Sequence, residues 1–161
     1  MKSISWIKSL IVALLIVIFV RSFIISNYII DGHSMTPTLH DGDRVLVNQL
    51  IDVVIPPQQG DIYFFKLNEN EVMVKRIVAT PGDYLKIYKD SVYINGQETT
   101  FKDKTMHALL KHNNQSYRII PNDCYIVLGD NVDESVDSRT FGCIRRNQFL
   151  GKVIYTYWNK K

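Results

Sequence analysis

Cysteine is nearly absent: Cys124 and Cys143 are the only two in 161 residues. Neither belongs to a CxxC pair or has histidines at metal-ligand spacing, which argues against a zinc site. Whether the two pair is open at this level, because sequence does not show whether their Cα atoms come within bridging distance. Blocks of one charge are absent too. The net charge is +3 with Lys and Arg scattered along the chain, so there is no basic stripe of the kind nucleic-acid binding needs, and charge implies no more than a weak pull toward anionic lipid headgroups. No internal repeat or low-complexity tract occurs, no metal or cofactor is indicated, and the length suits one domain.

What the chain does have is one long apolar run. Residues 4–26 are almost continuously apolar, with an uncharged centre (SLIVALLIVIFV) and single charges, Lys8 and Arg21, at its edges. A membrane helix needs about 20 residues, and long basic side chains near its ends can reach the headgroups. A cleaved secretory signal is the alternative, with Lys2 and Lys8 as the basic region, but no small-x-small pair is well placed after the run. Residues 1–26 are therefore read as a retained single-pass anchor. Lys2 and Lys8 favour a cytoplasmic N-terminus and Arg21 argues mildly the other way; residues 27–161 are placed on the extracytoplasmic face.

Beyond the anchor, short stretches rich in Val, Ile, Tyr and Phe alternate with turn signals: RVLVNQL, DIYFFKL, VMVKRIVA, YLKIY, VYINGQ and CYIVLGDN. This is the pattern of a mainly β domain. Asn95-Gly96 predicts a hairpin turn and Pro81-Gly82-Asp83 a tight turn. One short helix is expected at residues 105–111.

Two segments look like chemistry. In Gly32-His33-Ser34-Met35-Thr36-Pro37 a serine sits where Gly and Pro make the backbone turn, which can present a hydroxyl and N–H donors to one carbonyl; taken alone, this is also ordinary loop composition. In Val72-Met73-Val74-Lys75-Arg76-Ile77-Val78 a strand would put Lys75 on one face with Met73 and Ile77, and Arg76 on the other with Val72, Val74 and Val78. An edge strand guarded by basic residues has the same look. A serine nucleophile without a histidine base needs a neutral amine, however, and burial on an apolar face disfavours the charged form of a lysine. His33, adjacent to Ser34 in an extended chain, points away from it; His33, His40, His107 and His112 all read as surface residues.

In order along the chain, these blocks resemble the type I signal peptidases. They are the N-terminal anchor, Gly32-His33-Ser34-Met35-Thr36-Pro37-Thr38-Leu39, Gly42-Asp43-Arg44-Val45-Leu46-Val47, Val74-Lys75-Arg76-Ile77-Val78 with Pro81-Gly82-Asp83, and Val127-Leu128-Gly129-Asp130-Asn131. Ser135, Asp137-Ser138-Arg139, Phe141-Gly142 and Gly151-Lys152-Val153 complete the set. The resemblance implies a signal-peptidase-like β catalytic domain that removes signal peptides from exported preproteins after a small-x-small site. It implies Ser34 as nucleophile, Lys75 as general base and Ser135 as the hydroxyl that orients the lysine. Asp137 with Arg139 would buttress the site, and Asp130 would pair with Arg76. Ile30, Met35, Leu39, Met73 and Val74 are the implied walls of the substrate pockets. Gly32 stands where some relatives carry an oxyanion-binding hydroxyl, so the donor there is expected to be backbone or water, with the Ser34 N–H beside it. The implied partners are signal peptides and membrane lipids, with no nucleic acid; the implied state is a monomer. The short segment between the lysine block and the last block is typical of Gram-positive relatives.

Two rivals compete with this reading. The self-cleaving repressors share a Ser/Lys pair on a related fold, but they carry a DNA-binding helix-turn-helix where this chain has an apolar segment. A catalytically dead, membrane-anchored binding module would be free to lose Ser34 or Lys75, and this chain keeps both.

Overall fold

The computed structural model describes residues 3–88, 91–99 and 117–158. Helix α1 (Ser3–Phe23) leads into β1 (Ile25–Ile29), so the first strand starts inside the segment read as anchor. Of α1, the side chains of residues 6–18 are described, and all are exposed. Among the described residues no helix is long and apolar enough to cross a membrane.

Everything after α1 is mainly β. Strands β1, β2 (Arg44–Asn48), β3 (Ile62–Asn68), β4 (Glu71–Ala79), β9 (Ile126–Leu128) and β10 (Phe149–Trp158) form a six-stranded antiparallel sheet in the order β1-β2-β10-β3-β4-β9. A smaller sheet, β7-β6-β5-β8, is built from β5 (Tyr84–Tyr88), β6 (Ser91–Ile94), β7 (Gln97–Glu98) and β8 (Tyr117–Ile119). Short helices α2 (Ile51–Val54) and α3 (Ser138–Phe141) lie in the connections. Each apolar stretch picked out in the sequence forms a strand, because Val, Ile and aromatic side chains fit a pleated, half-buried surface. The β6–β7 hairpin turns on Asn95 and Gly96, both at positive φ (52° and 82°), as a two-residue loop between right-twisted strands requires. The expected helix at residues 105–111 lies outside the described residues.

Three apolar clusters make the core. One, with Ile30, Met35, Leu39, Val45, Val47, Phe64 and Val74, lies beneath the loop that carries Ser34. A second gathers Tyr63, Phe65, Ile77, Tyr125, Val127 and Ile144. The third joins Val78, Leu85, Val92, Ile126 and Leu128 from both sheets. Cys124 and Cys143 form a disulfide with Cα atoms 5.3 Å apart. This answers the question the sequence left open, and it ties the start of β9 to the segment before β10.

Candidate active site

The loop after β1 is closed at its neck by Ile30 N–H donating to the Asp43 carbonyl (2.8 Å) and Gly42 N–H donating to the Ile30 carbonyl (2.9 Å). Inside it, buried Asp43 accepts from His40 N–H at 2.8 Å, and Met35 and Leu39 are sunk into the core. Pinned at its neck and by two apolar plugs, the loop holds Ser34 in one place. His40 keeps about half of its side chain at the surface, as expected, with its Nδ1 turned in, without a hydrogen bond, 3.8 Å from Asp43. His33 is exposed, and His107 and His112 lie outside the described residues.

Lys75 reaches the same point from the middle of β4. Its Nζ lies 2.8 Å from Ser34 Oγ, and the residue is only 4% exposed. Burial lowers its pKa, and the negative charge of Asp137 acts against that shift. A lysine in these surroundings gives up its proton more readily than a free one and can accept another from the adjacent hydroxyl.

The segment after β9 forms the third side. Asn131 N–H donates to the Ser34 carbonyl (3.0 Å) and Asn131 Nδ2 to the His33 carbonyl (3.2 Å). A Cβ on Gly129 would collide with Ser135 Oγ and with the Ser34 carbonyl oxygen, so this glycine is what lets the two segments meet. Ser135 Oγ is buried with no hydrogen-bond partner among the described residues. Fully buried Asp137 accepts from Gly129 N–H at 3.0 Å and is gripped by Arg139, whose Nε and Nη2 donate to its two oxygens at 2.8 and 2.9 Å. Nearby, Arg76 Nε and Nη2 donate to the two oxygens of Asp130 at 2.8 and 2.6 Å, and Thr38 Oγ1 donates to Asp130 at 2.5 Å. The structure thus brings together Ser34, Lys75, Ser135, Asp137 and Arg139, with the Arg76–Asp130 pair bracing the Ser34 loop through Thr38.

Backbone donors divide unequally. Gly32 N–H is committed to Asp41 Oδ1 at 2.9 Å and is not available to an oxyanion, which narrows the donors expected from sequence. Ser34 N–H donates to no other described residue.

A cleft of about 380 Å³ opens beside Ser34 and Lys75. Of the expected walls, Ile30, Met73 and Val74 line it; Met35 and Leu39 do not, being packed into the core below. Tyr28, Ile29 and Phe64 line it as well. The sequence held no signal for these three; Gly129 and Asn131 stood in a motif block, but without the parts they play, which run through the lack of a side chain at Gly129 and through both backbone and side-chain N–H groups at Asn131. Among the described residues no cluster of His, Cys, Asp and Glu is arranged to hold a metal ion.

The family model for signal peptidase, peptidase S26, matches residues 3–158. A signal peptidase IB from Staphylococcus aureus (strain Mu50 / ATCC 700699) is 36% identical over 170 residues, covering 95% of this chain and 88% of the relative. A signal peptidase I from Bacillus caldolyticus is 36% identical over 158 residues, covering 91% and 87%. A crystal structure of a signal peptidase I from Enterococcus faecalis V583 is similar at 26% identity and a TM-score of 0.45, over 61% of this chain and 97% of that one. With its serine and lysine side by side at the mouth of a cleft, and with relatives that match nearly its whole length, this chain belongs to the S26 signal peptidase family, a family of serine peptidases.

Proposed function

We propose that the chain is a membrane-anchored endopeptidase that removes signal peptides from exported preproteins, with Ser34 as nucleophile and Lys75 as general base. The observation that carries this reading is the 2.8 Å approach of Nζ to Oγ at a lysine whose charged form is disfavoured by burial. The neutral amine takes the hydroxyl proton as Oγ attacks the scissile carbonyl, then returns it to the departing amine. Water, deprotonated by the same amine, clears the acyl-enzyme. The Ser34 N–H is aimed at the oxyanion. Ser135 Oγ, buried next to Gly129 and without a hydrogen-bond partner among the described residues, is the hydroxyl assigned to orient the ammonium once Lys75 has taken the proton. Asp137 with Arg139 and Asp130 with Arg76 hold the two loops in register.

The substrate enters as an extended strand. β1 is an edge strand, and β4 pairs with β9 only over Arg76, Ile77 and Ala79, so residues 71–75 present a second open edge across the cleft. Main-chain hydrogen bonds to such edges bind a peptide without regard to sequence, and side-chain pockets then select. Ile30, Met73, Val74 and Phe64 leave shallow apolar room suited to small residues at the first and third positions before the cut. Helix α1 is assigned as the anchor because residues 4–26 are almost continuously apolar and every side chain described on it, residues 6–18, is exposed instead of packed on the β domain; the described part alone is not long and apolar enough to cross a membrane. The globular part lies on the extracytoplasmic face, and the relatives from Staphylococcus and Bacillus support a Gram-positive source.

The test is cleavage of a radiolabelled preprotein by the detergent-solubilised full chain beside a Ser34→Ala variant with matching circular dichroism. Cutting after a small-x-small site by the wild type alone is the expected result. A folded wild type silent on several preproteins would make the chain a binding module.

A further inference from the structure

The cleft beside Ser34 carries charge that the dyad does not use. The chain as a whole is basic, at +3, yet the charged side chains lining the cleft besides Lys75 are two carboxylates, Asp31 after β1 and Glu71 at the start of β4, and both are exposed. Neither forms an ion pair among the described residues; Glu71 accepts from a neutral donor, Asn68 Nδ2, at 3.1 Å. The cations of the site are engaged elsewhere. Lys75 is buried against Ser34, Arg76 grips Asp130 and Arg139 grips Asp137. Tyr28, stacked on Phe64 with ring centroids 4.4 Å apart, gives the same cleft an aromatic wall.

The dyad and the two open edges call for an extended peptide whatever the rim carries; the carboxylates decide which peptide. Ile30 is buried and its neighbour Asp31 exposed, the alternation of an extended segment. A bound peptide alternates in the same way: with its first and third residues before the cut in the pockets, the second points out to the rim, level with Asp31. Glu71 precedes Lys75 on β4 by four residues, about 13 Å at the rise of a strand, so it meets the substrate four or five residues before the cut. We propose that the cleft selects signal peptides with Lys or Arg at the middle position of the small-x-small site, facing Asp31, and again at the level of Glu71, and that it disfavours acidic residues at both. This selection rests on the chain being the peptidase proposed above. The stem and charge of a basic side chain are attracted to an aromatic wall such as Tyr28. Both carboxylates are exposed, so water and salt screen each pair, and a preference of a few-fold is the scale such pairs reach. Neither touches the scissile carbonyl. They act on substrate and transition state alike, which places the preference in KM and not in kcat.

The experiment uses the detergent-solubilised full chain and internally quenched peptides that share one small-x-small site. One set carries Lys, Gln or Glu at the middle position, and a second set carries them five residues before the cut. Wild type, Asp31→Asn, Asp31→Lys and Glu71→Gln, matched by circular dichroism, are assayed at low and high salt. The kcat/KM of each charged peptide is divided by that of the Gln peptide in the same protein, so a general loss of activity cancels. For the wild type at low salt the Lys ratio should exceed one by about three- to fivefold and the Glu ratio fall below one, both through KM, and both should contract toward one at high salt. Asp31→Asn should flatten the middle position alone, Asp31→Lys should reverse it, and Glu71→Gln should flatten the far position alone. Equal cutting of Lys and Glu peptides by the wild type, or a preference that survives the neutral variants, overturns the charge selection and leaves the peptidase standing. A preference carried by kcat with a displaced pH profile overturns it too, because the carboxylates would then act on Lys75 and not on the substrate. If the folded wild type cuts none of the peptides, the peptidase and its selectivity fall together.

Discussion

Replacing Lys75 with Met separates catalysis from packing. The two side chains are close in length and volume, so the packing cost stays below about 1.5 kcal/mol, while loss of a positioned general base removes about 10²–10⁴-fold from kcat, or about 3–5 kcal/mol of barrier lowering. Stability carries the finer signal. In the folded chain the lysine's pKa lies below its value in the unfolded chain, about 10.4, chiefly through burial. Between the two values the unfolded chain holds a proton that the folded chain has lost, so wild-type stability rises with pH across that window, at up to about 1.4 kcal/mol per pH unit. Below the window the full penalty of burying the charge applies; above it the penalty is gone. Lys75→Met has no such slope. Urea unfolding of both proteins from neutral pH to about 10.4 should therefore show the variant gaining on the wild type toward the acid side and losing that gain toward alkali. Cleavage by the wild type should rise through the same window. A stability difference that stays constant with pH, or full activity in the folded variant, refutes the assignment of Lys75 as a buried neutral base.

Gly129→Ala drives a methyl group into Ser135 Oγ and the Ser34 carbonyl; kcat should fall by about 100-fold, the cost of misplacing a reacting group by about 1 Å, while a thermal melt still shows a cooperative fold. Asp137→Asn leaves Arg139, only 9% exposed, without its counter-charge, and should cost about 3–5 kcal/mol in chemical denaturation. Because the Asp137 charge raises the pKa of Lys75, the rising limb of the pH–activity profile should move to lower pH in whatever fraction of that variant folds. Removing the disulfide with Cys124→Ala/Cys143→Ala, which span a sequence separation of 19, should lower stability by about 3 kcal/mol, read as a shift in the urea midpoint.

Much of this could be seen in the sequence, and the rest was hidden for definable reasons. Short stretches rich in β-branched and aromatic residues, bounded by turn signals, announced β2 to β6 and β9. β1 was concealed because Ile25 continues the apolar run of α1 without a break. β10 was concealed because Gly151 and Lys152 interrupt its pattern and its pairing with β2 shifts register twice. At the site, Ser34 and Lys75 were legible as residue types that chemistry demands together, whereas the two ion pairs came only from the resemblance to the signal peptidases. The hold of Asn131 on Ser34 runs partly through a backbone N–H, which any residue but proline supplies, so no side-chain pattern marks it. Met35 and Leu39, expected as pocket walls from the resemblance, fill the core beneath the Ser34 loop, because a motif match does not say which way a side chain is buried.

The grip of Asn131 on the Ser34 loop bears on biosynthesis. It spans 98 positions, whereas serine and lysine are 41 apart. A growing chain that has emerged only as far as β4 already owns Ser34 and Lys75, yet lacks the segment that clamps the Ser34 loop and carries Asp137. On the proposed function, the clamp that completes the site therefore arrives late in synthesis, after β9 has docked, while the two residues it serves are made early.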